Sequence, residues 1–249
     1  MGFHHVQKLL LEEATVIAVD LTEHLLLNSL GGLLETHKNK IHLLPCDITS
    51  ASGLSMGLAP LFASHEINGL VNNAAINPKV ENGLPSRSSA LSESWEVWSK
   101  EIQVGVYGAY NCICIIGEHM LSHGNPSSIV NISSDYGHLS PKQAIYDDGS
   151  QDPPAKPPGY SVVKHGVVGL TRYFATFWAG SNIRVNAIAP GGVENGQSPE
   201  FVKRLSAEVP LDRMARPEEF SGIVSFLLST EASYINGQEI IADGGRSIW

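Results

Sequence analysis

At 249 residues, 43% of them hydrophobic and 16% charged, the chain can bury a core without disulfides or a structural metal, and it suits one domain over 1–249. A formal net charge of −9 with no basic run argues against nucleic acid and anionic membrane surfaces as partners. No stretch approaches the roughly 18–20 apolar residues of a membrane span, and residues 1–8 lead into an amphipathic segment rather than a signal peptide. The three cysteines, Cys46, Cys112 and Cys114, are too few for a disulfide framework, which points to a reducing compartment, the cytoplasm.

Short β-branched runs alternate with longer amphipathic segments. Strands are predicted at 15–20 (TVIAVD), 40–45 (KIHLLP), 69–73 (GLVNN), 128–133 (SIVNIS), 183–188 (IRVNAI) and 238–242 (QEIIA). Their apolar runs are nearly continuous, as in strands covered on both faces. Helices are predicted at about 5–13, 22–36, 51–66, 92–121, 160–178, 199–207 and 217–229. Such alternation implies an α/β fold, doubly wound, with a mostly parallel Rossmann-like sheet between two helical layers. Residues 147–159 (DDGSQDPPAKPPG) carry four prolines and are expected to form a loop. Cys112 and Cys114, two apart on a helix, point in different directions and are not expected to bind metal.

Chemistry concentrates at a few points. Tyr160 and Lys164 form a Tyr-x-x-x-Lys element, which a helix places on one face with the ammonium beside the phenol. A neighbouring cation lowers a tyrosine's pKa from its usual value near 10 and makes the hydroxyl a usable acid or base. Ser133 and Ser134 end one predicted strand, Asn72 and Asn73 end another, and Asp20 ends a third. The carboxyl ends of parallel strands are where such sheets bind ligands, and a carboxylate there can accept from a ribose diol. Each has a plainer reading: an exposed Tyr–Lys pair, a helix cap or turn, a solvated strand end.

Taken together, VIAVD ending at Asp20, CDIT at 46–49, VNNAA at 71–75, VNISS at 130–134, YSVVK at 160–164, NIRVNAIAPGGV at 182–193 and GQEIIADGG at 237–245 resemble the short-chain dehydrogenase/reductases, in that family's order and across nearly the whole chain. The resemblance implies a nicotinamide cofactor across the carboxyl ends of the strands, with Tyr160 as acid/base. It gives Lys164 the nicotinamide ribose and the lowering of the tyrosine pKa, and gives Ser134 the substrate oxygen. Asp47 and Ile48 would flank the adenine, Asn73 and Ala74 line the cofactor, and Val193 contact the nicotinamide. Asp20 implies NAD rather than NADP, because its carboxylate would repel a 2′-phosphate. A small-molecule secondary alcohol or ketone is the expected substrate, with a sugar or polyol derivative in view. A homo-oligomer, tetramer or dimer, is expected through the last long helix and the C-terminal strand.

Three departures from the family pattern bear on these expectations. The opening strand and glycine-rich phosphate loop are missing, Gly2 being the sole remnant, so either the sheet centre is unusual or the chain starts downstream of the family's usual start. Two neighbouring strands would then be left unpaired or forced together, and NAD binding by this chain is expected to be weak. Gly105 stands where the family carries an asparagine of a proton relay. The stretch from Ser134 to Tyr160 is much longer than usual, and 135–159 is expected to form a proline-rich insertion over the substrate side of the cleft. The alternatives are a catalytically silent binding or oligomer subunit, a truncated product with impaired cofactor binding, and an epimerase or dehydratase of nucleotide sugars.

Overall fold

In the computed structural model, which describes residues 1–78 and 83–249, six strands alternate with helices. Strands β1 (Val16–Asp20) and β2 (Ile41–Pro45) pair in parallel with Val16 opposite Ile41. Strands β3 (Gly69–Asn72), β4 (Ser127–Ile132), β5 (Ile183–Pro190) and β6 (Glu239–Ala242) form a second parallel sheet in that order. The expected single sheet is therefore divided between β1 and β3, the first of the two outcomes foreseen for a sheet without its central strand. The β1–β2 ribbon has its own core. Leu10 of α1 (Gly2–Leu11) and Leu26, Leu30 and Leu33 of α2 (Glu23–Thr36) are buried with Ala18 and Ile41.

The four-stranded sheet is covered on both faces, and the period-2 alternation of its strands shows how. On β4, Ile129 joins one apolar cluster while Val130 and Ile132 join the other; on β5, Ile183 and Val185 go one way and Ile188 the other. The first cluster is completed by α3 (Ala51–Phe62), α6 (Ala109–His123) and α7 (Pro158–Phe177), through Leu54, Leu58, Ile113, Met120 and Phe174. The second is closed by α9 (Ser221–Leu228), through Val224 and Leu227. Among the described residues no helix is long and apolar enough to cross a membrane.

Several boundaries differ from the sequence expectation. The predicted helix 92–121 is really α5 (Trp95–Ile102), a π-helical segment Gln103–Gly108 and α6, preceded by the short α4 (Arg87–Ala90). Helix α7 begins inside the predicted loop, with Pro158 in its first turn, where a missing N–H is harmless. The rest of the proline-rich stretch is a loop, but a docked one. Ala155 N donates to the Pro85 carbonyl at 2.9 Å and Lys156 N to Gln143 Oε1 at 2.9 Å, and both residues are buried. The set is completed by α8 (Pro199–Ser206).

Candidate active site

The carboxyl ends of β4 and β5 and the start of α7 open on one cleft of about 250 Å³, lined by Ser134, Tyr160, Val193 and Met1 among others. Ser133 and Ser134 leave β4 with different fates. Ser133 Oγ turns inward and donates to the Lys164 carbonyl at 3.3 Å, whereas Ser134 faces the cleft and caps the turn Asp135–Gly137 by accepting from Tyr136 N at 3.3 Å. Tyr160, in the first turn of α7, is buried and lines the same cleft as Ser134. Lys164, one turn on, is only 4% exposed; its Nζ donates to the Ile132 carbonyl at 2.7 Å and lies 5.5 Å from the centre of the Tyr160 ring. The structure thus brings Ser134, Tyr160 and Lys164 together.

The electrostatics differ from the sequence expectation in one respect. Burial pushes the Tyr160 hydroxyl well above the ordinary tyrosine value. The neighbouring Ser134 hydroxyl pulls it down, and the nearby Asp135 and Tyr136 push it up further. Lys164 does not overcome this burial, and is itself pushed down to about 8 by desolvation. The phenol is consequently held protonated at neutral pH, rather than poised toward phenolate.

Behind the cleft, Asn72 Nδ2 donates to Asn131 Oδ1 at 2.8 Å, and Asn131 Nδ2 to Thr171 Oγ1 at 2.9 Å. This chain of amides ties β3, β4 and α7 together beneath the site. The buried Asn111 Nδ2 donates to the Ile48 carbonyl at 3.0 Å and fixes the turn after β2. Asp47 in that turn accepts from the Thr49 amide and hydroxyl, each at 2.8 Å. Asp20, at the exposed end of β1, accepts from Leu21 N at 2.8 Å. Asp20, Asp47 and Ile48 therefore stand together at the β1–β2 edge, apart from the Ser134–Tyr160 cleft. Ala74 is exposed just after β3.

The residues present fit a nicotinamide dinucleotide. Asn73 Oδ1 is buried and makes no hydrogen bond among the described residues, leaving an acceptor free beside the start of α1. Gly191, after β5, comes so near the end of β6 that a Cβ there would lie 2.8 Å from Asp243 Cα, so only glycine lets these two strand ends pack beside the cleft. Asp20 and Asp47 would serve the adenosine half, and Tyr160, Lys164 and Val193 the nicotinamide half.

Sequence reasoning missed three buried groups. Asp135 lies directly after Ser134 and pairs with Arg246, which follows the terminal DGG; Lys156, from the proline-rich loop, places Nζ 4.3 Å from the centre of the Tyr160 ring. Lys156 also donates to Asn77 Oδ1 at 2.5 Å and the Pro78 carbonyl at 2.6 Å. Adjacency to Ser134 was the available signal for Asp135; nothing in the sequence announced the other two.

Residues 1–247 match the family model described as enoyl-(acyl carrier protein) reductase. The 3-oxoacyl-[acyl-carrier-protein] reductase of Thermotoga maritima is 32% identical over 242 residues, covering 95% of this chain and 89% of that protein. A gluconate 5-dehydrogenase from Burkholderia cenocepacia, solved with NADP and tartrate, superposes with a TM-score of 0.83 at 22% identity, covering 100% of this chain and 91% of the other. A short chain dehydrogenase from Leptospira borgpetersenii, solved with bound NAD+, gives 0.76 at 24% identity, covering 97% and 86%. These similarities and the parallel α/β fold define an oxidoreductase. The chain belongs to the short-chain dehydrogenase/reductase family.

Proposed function

We propose that this protein transfers a hydride between a nicotinamide cofactor and a secondary alcohol or ketone, with Tyr160 exchanging the hydroxyl proton. The observation that carries the proposal is that Tyr160 and Ser134 line one cleft, with Lys164 buried beneath the Tyr160 ring. The bound nicotinamide supplies or takes up the hydride. Tyr160 donates its proton to the carbonyl oxygen in reduction and receives it back from the alcohol in oxidation. Ser134 holds the substrate oxygen beside the phenol, and Lys164 offers its remaining N–H groups to the nicotinamide ribose. Burial keeps the phenol protonated, which is the form that reduction consumes.

NAD is the cofactor we favour over NADP, on the carboxylate of Asp20 at the end of β1, where a 2′-phosphate would meet a like charge. Asp47, Ile48, Asn73, Ala74 and Val193 complete the proposed cofactor set. The substrate class we favour is a sugar or polyol derivative, because the docked proline-rich loop adds polar groups, Lys156 among them, to the substrate side of the cleft. We also propose a homo-oligomer; the exposed Tyr234, Ile241, Ile248 and Trp249 supply apolar surface at the C-terminal end.

The test is a panel of ketoses, keto acids and simple ketones, incubated with NADH or NADPH while nucleotide oxidation is followed. The proposal expects turnover with at least one polyhydroxylated ketone and a preference for NADH. Absence of nucleotide oxidation across the panel, in protein shown by calorimetry to bind the nucleotide, would count against it.

A further inference from the structure

The hydroxyl of Ser134 is not free. It donates to Asp135 Oδ1 at 2.9 Å, while the other carboxylate oxygen receives Arg246 Nη1 at 2.5 Å. Asp135 and Arg246 are both buried, at 4% exposure for the aspartate and 7% for the arginine side chain. A buried carboxylate needs a partner, and so does a buried guanidinium. Each therefore holds the other, and Ser134 takes the acceptor that remains.

Arg246 reaches this position from the end of the chain. Asp243 accepts from Gly245 N at 2.9 Å and Ser247 N at 2.7 Å, shaping the turn Arg246–Ile248 that follows β6. From there the guanidinium also lies 5.4 Å from the centre of the Tyr136 ring, and Tyr136 stands edge-on to Tyr160 with ring centres 6.4 Å apart. The Tyr136 hydroxyl is in turn 2.8 Å from that of Tyr146, so the ring has little freedom to swing away. One arginine thus clamps two consecutive residues, and both face the Ser134–Tyr160 pair.

We propose that Asp135 and Arg246 are positioning residues for the site: Asp135 fixes the direction of the Ser134 hydroxyl, and Arg246, brought in by the C-terminal turn, holds that carboxylate and balances its charge against Tyr160. The proposal rests on the assignment of Ser134 and Tyr160 to catalysis made above. With its proton held on Asp135, the Ser134 hydroxyl is kept in one orientation at the cleft, and it turns that proton to the substrate oxygen when substrate arrives. A bare carboxylate at this place would strongly oppose phenolate; paired with Arg246, it sets the direction of the serine at a smaller electrostatic penalty.

The groups facing Tyr160 are few and can be told apart. Lys164 comes from its own helix and Lys156 from the preceding loop, with Glu101 of α5 beyond Lys156. Asp135 and Tyr136 come from the turn after β4, with Arg246 behind them. Neither lysine is altered by changes at 135 and 246.

The experiment uses the full chain labelled with 13C at the tyrosine Cζ. The Tyr160 resonance is assigned by its loss in Tyr160→Phe and titrated in wild type, Asp135→Asn and the double variant Asp135→Asn/Arg246→Gln. Asparagine keeps an acceptor for Ser134 but leaves Arg246 uncompensated, so Tyr160 should ionise at the lowest pH in the single variant. The double variant, neutral at both positions, should fall between it and wild type. A shift of about one pH unit or more separates the single variant from wild type if the pair faces the phenol. Titrations that coincide in all three proteins, or reverse that order, would overturn the pairing. Should the single variant fail to fold, the double variant against wild type decides by itself, with a lower midpoint supporting the pair and an unchanged one overturning it. Turnover of Tyr160→Phe separates the two layers: its loss with unmoved titrations removes the positioning pair alone, and its retention removes the catalytic assignment and the pair with it.

Discussion

Gly105 and Val163 approach so closely that a Cβ at position 105 would lie 2.3 Å from Val163 Cγ1. Val163 stands between Tyr160 and Lys164 on α7, and Gly105 lies in the π-helical segment Gln103–Gly108, so this contact seats α7 against the long helical element beside it. The glycine is therefore a packing requirement, and position 105 has no room for the asparagine that the family pattern would place there.

Introducing that asparagine should be harmful rather than restorative. Gly105→Asn must displace Val163, and overpacking of this kind costs about 1–3 kcal/mol. Chemical denaturation should show the loss, together with reduced turnover. Adding Val163→Ala should recover part of the stability. Equal stability of Gly105→Asn and wild type would show that α7 yields more easily than the contact implies.

Asn131 should be among the more sensitive buried polar positions. Asn131→Leu strips partners from Asn72 Nδ2 and Thr171 Oγ1 in the layer beneath the site. Each buried polar group left unsatisfied costs about 1–3 kcal/mol, so a loss of roughly 2–5 kcal/mol is expected. Equilibrium unfolding in urea checks this, and a loss below about 1 kcal/mol would mean that the orphaned groups find other partners.

Lys164 should leave its mark on the pH dependence of stability. Its folded-state pKa is pushed down to about 8 from 10.5. Between those values the unfolded chain holds a proton that the folded chain has released, so this group's contribution to stability rises with pH across the window. The rise amounts to about 3 kcal/mol in all. Tyr160 opposes it above roughly pH 10, because its raised pKa keeps the folded phenol protonated where the unfolded one ionises. Unfolding free energies measured at intervals from neutral pH upward should climb and then bend over, and Lys164→Met should flatten the climb. An identical climb in the variant would assign it to other groups.

Cofactor preference should turn on Asp20. Asp20→Ala removes the carboxylate that would repel a 2′-phosphate, so the ratio of kcat/KM for NADH over NADPH should fall by about tenfold or more, one decade per 1.4 kcal/mol. An unchanged ratio would place the discrimination elsewhere.

Much of the fold could be read from the chain because strand burial leaves a plain signal. Near-continuous runs such as SIVNIS and IRVNAI can hardly be anything but strands covered on two faces, and both were located to within a residue or two. The π-helical segment could not be seen, since QVGVYG keeps the apolar spacing of an ordinary helix. The division of the sheet could be expected only as one of two outcomes, because pairing between strands distant in sequence is settled by packing. At the site, the Tyr160–Lys164 spacing was legible as a helical face. The separate fates of Ser133 and Ser134 depend on which side of β4 each leaves, and the proximity of Arg246 to Asp135 depends on a turn more than a hundred residues away in sequence.

The most direct measurement is the turnover of Tyr160→Phe with NADH and a ketone that the wild-type protein reduces. Phenylalanine keeps the ring between Tyr136 and Lys156 and removes only the hydroxyl that shares the cleft with Ser134. If that hydroxyl delivers the proton, kcat should fall by about 10²–10⁴-fold, with KM changed far less and the melting temperature close to wild type. A variant that reduces the same ketone at a rate near that of wild type would contradict the assignment of Tyr160 as the acid.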